Sequence, residues 1–231
     1  TLVDVVLERL RRHGLTITIF IVGQDAALDK NHAALKKIAG DGHEIGNHSL
    51  SHEPWFHRYA YHEAEREIAA SEEAIFGATG QRPRGYRGPG FSLSEDALRI
   101  LHRRGYRYDC STFPTFIGPL ARAYYFWNTR NMPAEERDKR DQLYGTVAEG
   151  MRPLRPYLWD LGEGELLEIP VTTMPLARVP IHMSYLIYLA GFSKALFRAY
   201  LQTSLAMCRA AGVELSFLLH PLDFLGGDAV S

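Results

Sequence analysis

The feature that most constrains this chain is a repeated alternation of helical and strand-like segments, with a reactive polar side chain at the end of several strands. Val3, Val6, Leu7 and Leu10 carry helical spacing, and Gly14 stops that helix. Residues 16–22 form a β-branched and apolar run ending at Gly23, which predicts a buried strand. The rhythm continues with a helix over 33–39, a short strand over 43–46, a helix over 63–76 closed by Gly77, and a strand over 84–87. Ser94 caps a helix running to Arg104, with Glu95 and Asp96 in its first turn. Strands follow over 106–110 and 166–171, then a helix over 194–211 and a last strand over 213–219. Helix–strand alternation favours parallel βα units. The 231 residues suffice for one α/β core of that kind.

His48, Arg87, Asp109 and His220 each stand at or just after the end of a predicted strand. In β/α barrels the active site is built at the carboxyl ends of the strands, so four reactive groups in that one topological position form a combined signal. Composition adds exclusions. A net charge of -1 gives no basic excess of the kind that phosphate backbones require, so nucleic acid is not an expected partner. The two cysteines, Cys110 and Cys208, are far apart and in no metal-type spacing, and are expected as free core thiols. The longest apolar run, residues 181–192, is shorter than the roughly 18–20 residues that span a bilayer. No leader pattern is visible at the first residues, and no compartment is assigned.

Three motifs carry chemistry. In His48-Ser49-Leu50-Ser51-His52 two imidazoles four residues apart are expected to share one face of a helical turn and reach one cation, with zinc, cobalt, nickel or iron as suitable metals. In Arg87-Gly88-Pro89-Gly90-Phe91 the glycines allow close backbone approach, and the planar Arg87 guanidinium can hold a carboxylate in a fixed pose; in isolation the same residues read as a plain turn with a surface arginine. Leu218-Leu219-His220-Pro221 ends an apolar strand on a histidine, with Asp223 close behind; an aspartate nearby in space would fix the tautomer of such a histidine. His13, His32, His57, His62, His102 and His182 read as surface or structural residues.

Residues 42–52, 87–91 and 218–220, in this order, resemble the metal-binding, arginine/proline and Leu-x-His motifs of the NodB-like polysaccharide deacetylase family, and residues 17–23 are similar to an early strand of that family. The resemblance implies a distorted (β/α) barrel of the NodB homology type in one domain over 1–231, with an irregular excursion at about 113–164. It implies a metal-dependent hydrolase that removes an N-acetyl or similar acyl group from an amino sugar. His48 and His52 would be metal ligands, with zinc favoured; Arg87 would orient a base, Gly90 N–H would serve the oxyanion, and His220 would be the general acid. Asp109 is the match for the acidic residue tuning that histidine. The family's Thr-Phe-Asp-Asp-Gly motif, which supplies a base and a third ligand, has no counterpart: Asp4 lies inside the first helix and Asp25 follows the next strand. The expectation is therefore a chain lacking the family's first strand.

The excursion interleaves Phe116, Leu120, Tyr124, Tyr125, Phe126 and Trp127 with Arg122 and Arg130, and a second apolar stretch runs through Tyr185, Leu186, Ile187 and Tyr188. Apolar surface with basic flanks can rest on an anionic membrane, which suggests a lipid-linked sugar as substrate, while an extra core layer accounts for the same residues. Two other functions stay open: a small-amide amidohydrolase of the same fold, and an inactive carbohydrate- or lipid-binding member.

Overall fold

The computed structural model describes residues 1–116 and 147–224. The chain divides into two compact units, one built from residues 1–111 and 157–168, the other from residues 112–156 and 169–231.

The first unit is a six-stranded sheet flanked by helices. Helix α1 (Leu2–Arg12) starts at a reciprocal cap: the Thr1 hydroxyl accepts from Asp4 N–H, and the Asp4 carboxylate binds back onto Thr1. Asp4 is thereby committed to the helix start. Strand β1 (Thr18–Ile21) leads into a single-turn helix α2 (Gly23–Ala26) and then α3 (Asp29–Gly40). Strand β2 (Glu44–Asn47), the long helix α4 (Tyr61–Thr79), strand β3 (Gly85–Tyr86), helix α5 (Glu95–Arg103) and strand β4 (Tyr108–Asp109) follow. The hairpin β5 (Tyr157–Asp160) and β6 (Glu165–Glu168) completes the sheet.

The strand order is β1-β2-β3-β4-β6-β5, with every pair parallel except the terminal β6–β5 pair. All parallel strands therefore point their carboxyl ends to one edge, where Asn47-His48, Tyr86-Arg87, Asp109 and Glu168 emerge. The register makes this concrete: Asn47 stands opposite Tyr86, Tyr86 opposite Asp109, and Asp109 opposite Glu168. Two apolar clusters hold the sheet. Leu7, Ile21, Leu35, Ile38, Ile45 and Ile75 form one; Phe56, Ile68, Tyr86, Ile100, Leu101 and Leu166 form the other.

Several expectations shift. The strands are shorter than the apolar runs. The helix after His52 continues through Gly77 to Thr79 and ends at Gly80, whose φ of 74 supplies the left-handed turn. Within the expected excursion, residues 157–160 are a strand paired to β6, a hairpin that the mixture of aromatics and charges concealed.

The second unit contains a short helix (Val147–Gly150, α6), helix α7 (Met183–Phe192), helix α8 (Lys194–Ala211) and a 3-10 turn (Pro221–Phe224). Ser193 caps α8 by accepting from Leu196 N–H, and Gly212 ends it at φ 62. Ile181, Cys208 and Val213 are its buried apolar centre. The strand expected over 213–219 is not formed. Thr172 N–H does donate to the Ser216 carbonyl, but Ser216 N–H is taken by the Thr172 hydroxyl, so a side chain interrupts what would be a ladder. The apolar run at 181–192 becomes α7, with Leu186 buried and Tyr185, Ile187, Tyr188 and Phe192 exposed. Among the described residues no helix is long and apolar enough to cross a membrane. Both cysteines are buried and free, as expected.

Candidate functional site

The two histidines converge, by a route other than the expected helical turn. Ser49 and His52 both have positive φ, 62 and 58, so the loop over residues 48–52 passes through the left-handed region at two of its residues. The imidazoles of His48 and His52 meet edge to face with ring centroids 4.8 Å apart. Side chains stabilise this backbone, which costs non-glycine residues energy. Asn47, fully buried, accepts from Ser49 N–H at 2.9 Å and donates to the Ile68 carbonyl and the Tyr106 hydroxyl. The Ser49 hydroxyl accepts from His52 N–H at 3.1 Å. Ser71 donates to Asn47 Oδ1 and lies within hydrogen-bond distance of the Ser49 carbonyl.

Glu67, on α4, was not read from the sequence. One of its carboxylate oxygens accepts from Leu50 N–H, Ser51 N–H and the Ser51 hydroxyl at 3.2, 3.0 and 2.9 Å. It holds the loop at Leu50 and Ser51, while Asn47 holds it at Ser49.

His48 Nδ1 lies 2.6 Å from the Arg87 carbonyl oxygen. A carbonyl only accepts, so Nδ1 carries the proton and Nε2 is the lone-pair nitrogen. A ring N–H given to a backbone carbonyl is the usual orientation device of a metal-ligating histidine. The donor chemistry thus fits two positions of a divalent-metal site. A catalytic zinc usually has three protein ligands, and among the described residues no group of three His, Cys, Asp or Glu side chains is assembled.

Arg87 leaves β3 half-buried. Its guanidinium sits 4.6 Å over the Phe20 ring, and its Nε donates to the Cys110 carbonyl at 3.2 Å. Gly46 makes room for that ring, since a Cβ there would lie 2.5 Å from Phe20 Cδ1. Gly88 is required for a similar reason, a Cβ falling 1.9 Å from the Ser92 carbonyl oxygen. Gly90 adopts φ 58 in a 3-10 turn (Pro89–Phe91) and is exposed.

Asp109 is fully buried. It accepts from Ser111 N–H and the Ser111 hydroxyl at 3.0 and 2.6 Å, and the same hydroxyl accepts from Gly88 N–H at 2.7 Å. Burial first, and the neighbouring Glu168 carboxylate second, push the Asp109 carboxyl well above the usual range, so Asp109 tends to hold its proton. Glu168, also fully buried, accepts from Trp159 Nε1–H at 3.0 Å. It was missed as a site candidate, although an acid inside the apolar run Leu166-Leu167-Glu168-Ile169 is a readable signal. Burial pushes the Cys110 thiol up to about 12, which keeps it a protonated core group rather than a nucleophile.

His220 belongs to the second unit. Its Nδ1 is 3.1 Å from Ser184 Oγ, and Ser184 Oγ donates to Asp223 Oδ1 at 2.9 Å. Asp223 Oδ2 accepts the His220 backbone N–H at 2.8 Å. His182, 8% exposed, stacks edge to face on Tyr185 and lies 6.2 Å from the His220 ring. Burial first and His220 second lower its pKa, so it stays neutral near pH 7. Ser184 and His182 had no distinguishing pattern in the sequence. Of the expected membrane-facing residues, Leu120, Tyr124, Tyr125, Phe126, Trp127, Arg122 and Arg130 lie outside the described residues.

The chain is thus an α/β protein presenting two converging imidazoles at the carboxyl ends of its parallel strands. The sequence profile of the polysaccharide deacetylase family matches residues 1–108. Over those residues, just under half of the chain, the sequence is similar to that family. A peptidoglycan-N-acetylglucosamine deacetylase from Bacillus cereus is 32% identical over 94 residues, 41% of this chain and 33% of that protein. A peptidoglycan deacetylase from Helicobacter pylori is 28% identical over 158 residues, 67% of this chain and 53% of that protein. The chain therefore spans about a third to a half of the length of these relatives. The crystal structure of a Mycobacterium smegmatis protein, provisionally described as a polysaccharide deacetylase, aligns with a TM-score of 0.55 at 17% identity over 95% of this chain and 81% of that chain. That likeness establishes the shared fold.

Proposed function

We propose that this chain carries the catalytic site of a metal-dependent hydrolase that removes an N-acetyl group from an amino sugar of a glycan. The observation that carries the reading is the His48–His52 loop: two imidazoles 4.8 Å apart, one of them oriented by a backbone carbonyl of the next strand. His48 and His52 would hold a divalent metal, zinc first, and that ion when bound polarises an amide carbonyl and lowers the pKa of water. Arg87 has the fork geometry to orient a carboxylate base, and the Gly90 N–H can stabilise an oxyanion. His220 protonates the leaving amine. Asp109, its carboxyl pushed up by burial and by Glu168, ties the β3 loop to β4 through Ser111 and Gly88, a role in holding the strand ends.

The peptidoglycan substrates named for the relatives make N-acetylated amino sugars the first class to assay. The metal-loaded, full-length protein is expected to release acetate from N-acetylglucosamine oligomers, and His48→Ala or chelation should lower the rate by at least a hundredfold. Absence of acetate release from every acetylated glycan, with turnover of small amides instead, would contradict the sugar reading. The exposed Tyr185, Ile187, Tyr188 and Phe192 on α7 favour a lipid-linked version of that substrate. Failure to co-float with anionic liposomes would remove this extension.

A further inference from the structure

The polar cluster around His220 has a fixed proton order. A serine hydroxyl has one hydrogen, and Ser184 Oγ gives it to Asp223 Oδ1 at 2.9 Å. The 3.1 Å contact between Ser184 Oγ and His220 Nδ1 must then be donated by the imidazole. Asp223 and His220 do not bond directly through their side chains, since Nδ1 and Oδ2 are 3.8 Å apart. Oδ2 is used instead by the His220 backbone N–H. Asp223 therefore closes the 3-10 turn that begins at Pro221, fixes the His220 backbone, and fixes the Ser184 hydroxyl. The carboxylate is 8% exposed and the imidazole 56% exposed, so the anchor is sheltered and the working ring is open to solvent.

We propose that Ser184 and Asp223 are positioning residues for His220, locking its neutral ring with the proton on Nδ1 and presenting Nε2 as the atom that hands over the transferred proton. The functional half of this statement rests on His220 being the general acid of the proposed deacetylase. The order of groups separates the arrangement from a serine-nucleophile triad. There the imidazole stands between serine and carboxylate; in this cluster the serine stands between imidazole and carboxylate, its hydrogen already committed. The lock has a clear chemical use. When the imidazolium releases its Nε2 proton to an amine, the neutral ring left behind is the Nδ1–H tautomer that the Ser184 oxygen already accepts from. No reorganisation of the ring or its partners accompanies the transfer.

The test is long-range 1H–15N NMR of the histidine rings in the intact protein, above the pH at which His220 becomes neutral, with a His220→Gln spectrum used to assign the resonances. Wild type is expected to show His220 as the Nδ1–H tautomer. Ser184→Ala should move it toward the Nε2–H form that dominates in unconstrained histidine, and Ser184→Thr, which keeps the hydroxyl, should restore the wild-type pattern. In the acetate-release assay Ser184→Ala should lower kcat by about tenfold to a hundredfold with KM within about twofold, a part of the roughly 10²–10⁴ that general acid–base catalysis contributes. An Nε2–H tautomer in wild type, or an unchanged spectrum in Ser184→Ala, would overturn the proposal. A correct tautomer lock in a protein without deacetylase activity would instead refute the catalytic reading of His220 and leave the lock standing, so the two failures are distinguishable.

Discussion

At the scale of single residues, the site depends on side chains that hold other side chains. The meeting of His48 and His52 was legible from their spacing together with the strand end and Gly46 just before them, since spacing alone does not distinguish such a pair from two loop histidines. Glu67 was not legible: a glutamate on the polar face of a long helix looks like solvated charge until the loop 16 residues earlier in the chain folds against it. Glu67→Ala would leave the N–H groups of Leu50 and Ser51 without their charged acceptor. We expect a loss of about 1.5–3 kcal/mol in urea unfolding and a drop of about 10–100-fold in zinc affinity by titration calorimetry. An unchanged zinc affinity would show that the loop holds itself. The Asp109–Glu168 pair makes a second prediction with a defined sign. Asp109 keeps its proton in the folded chain at pH values where the unfolded chain has lost it, because its folded pKa is raised. That contribution to stability is fully present below the unfolded value of about 4 and is lost as pH rises toward the folded value. Asp109→Asn, which retains a neutral side chain with a donor for Glu168, should flatten the fall in urea midpoint above about pH 4. An identical pH dependence in the variant would place the proton elsewhere.

At the scale of elements, the order and type of most segments followed from periodicity, and their ends did not. Strand β3 is two residues long although residues 84–87 read as a strand; the flanking residues keep single backbone bonds to the neighbouring chain segments, Arg87 N–H to the Asn47 carbonyl and Arg107 N–H to the Arg84 carbonyl. Gly77 was expected to stop α4, yet a glycine inside a helix costs only about 1 kcal/mol against alanine, and the neighbouring Ile75 and Ala78 are fully buried and hold the turn in place. The 213–219 segment has the apolar content of a strand but meets a threonine hydroxyl where a ladder needs a carbonyl. Gly46 is the element-level residue with the clearest consequence. It lies in β2 directly opposite Phe20 in β1, whose ring carries the Arg87 guanidinium. Gly46→Ala should cost about 1–3 kcal/mol by overpacking and displace both groups. A lowered urea midpoint with reduced zinc affinity is expected, whereas wild-type behaviour would mean that the sheet absorbs the methyl group.

At the scale of the whole molecule, the sequence made the α/β class and the strand-end placement of His48, Arg87 and Asp109 legible. His220 falls in a separate compact unit, which a one-dimensional rhythm of helices and strands does not announce. The hairpin of residues 157–168 returns to the first unit and brings Glu168 to its sheet; such a return is a long-range event that no local spacing encodes. The proposed function requires His48 and His52 to ligate one divalent ion. Its most direct test is an anomalous-scattering map, at the zinc edge, of zinc-loaded crystals of the full-length protein. One peak at about 2.0–2.1 Å from His48 Nε2 and from a ring nitrogen of His52 is the expected result. A zinc peak that touches only one of these imidazoles, or neither, would contradict it.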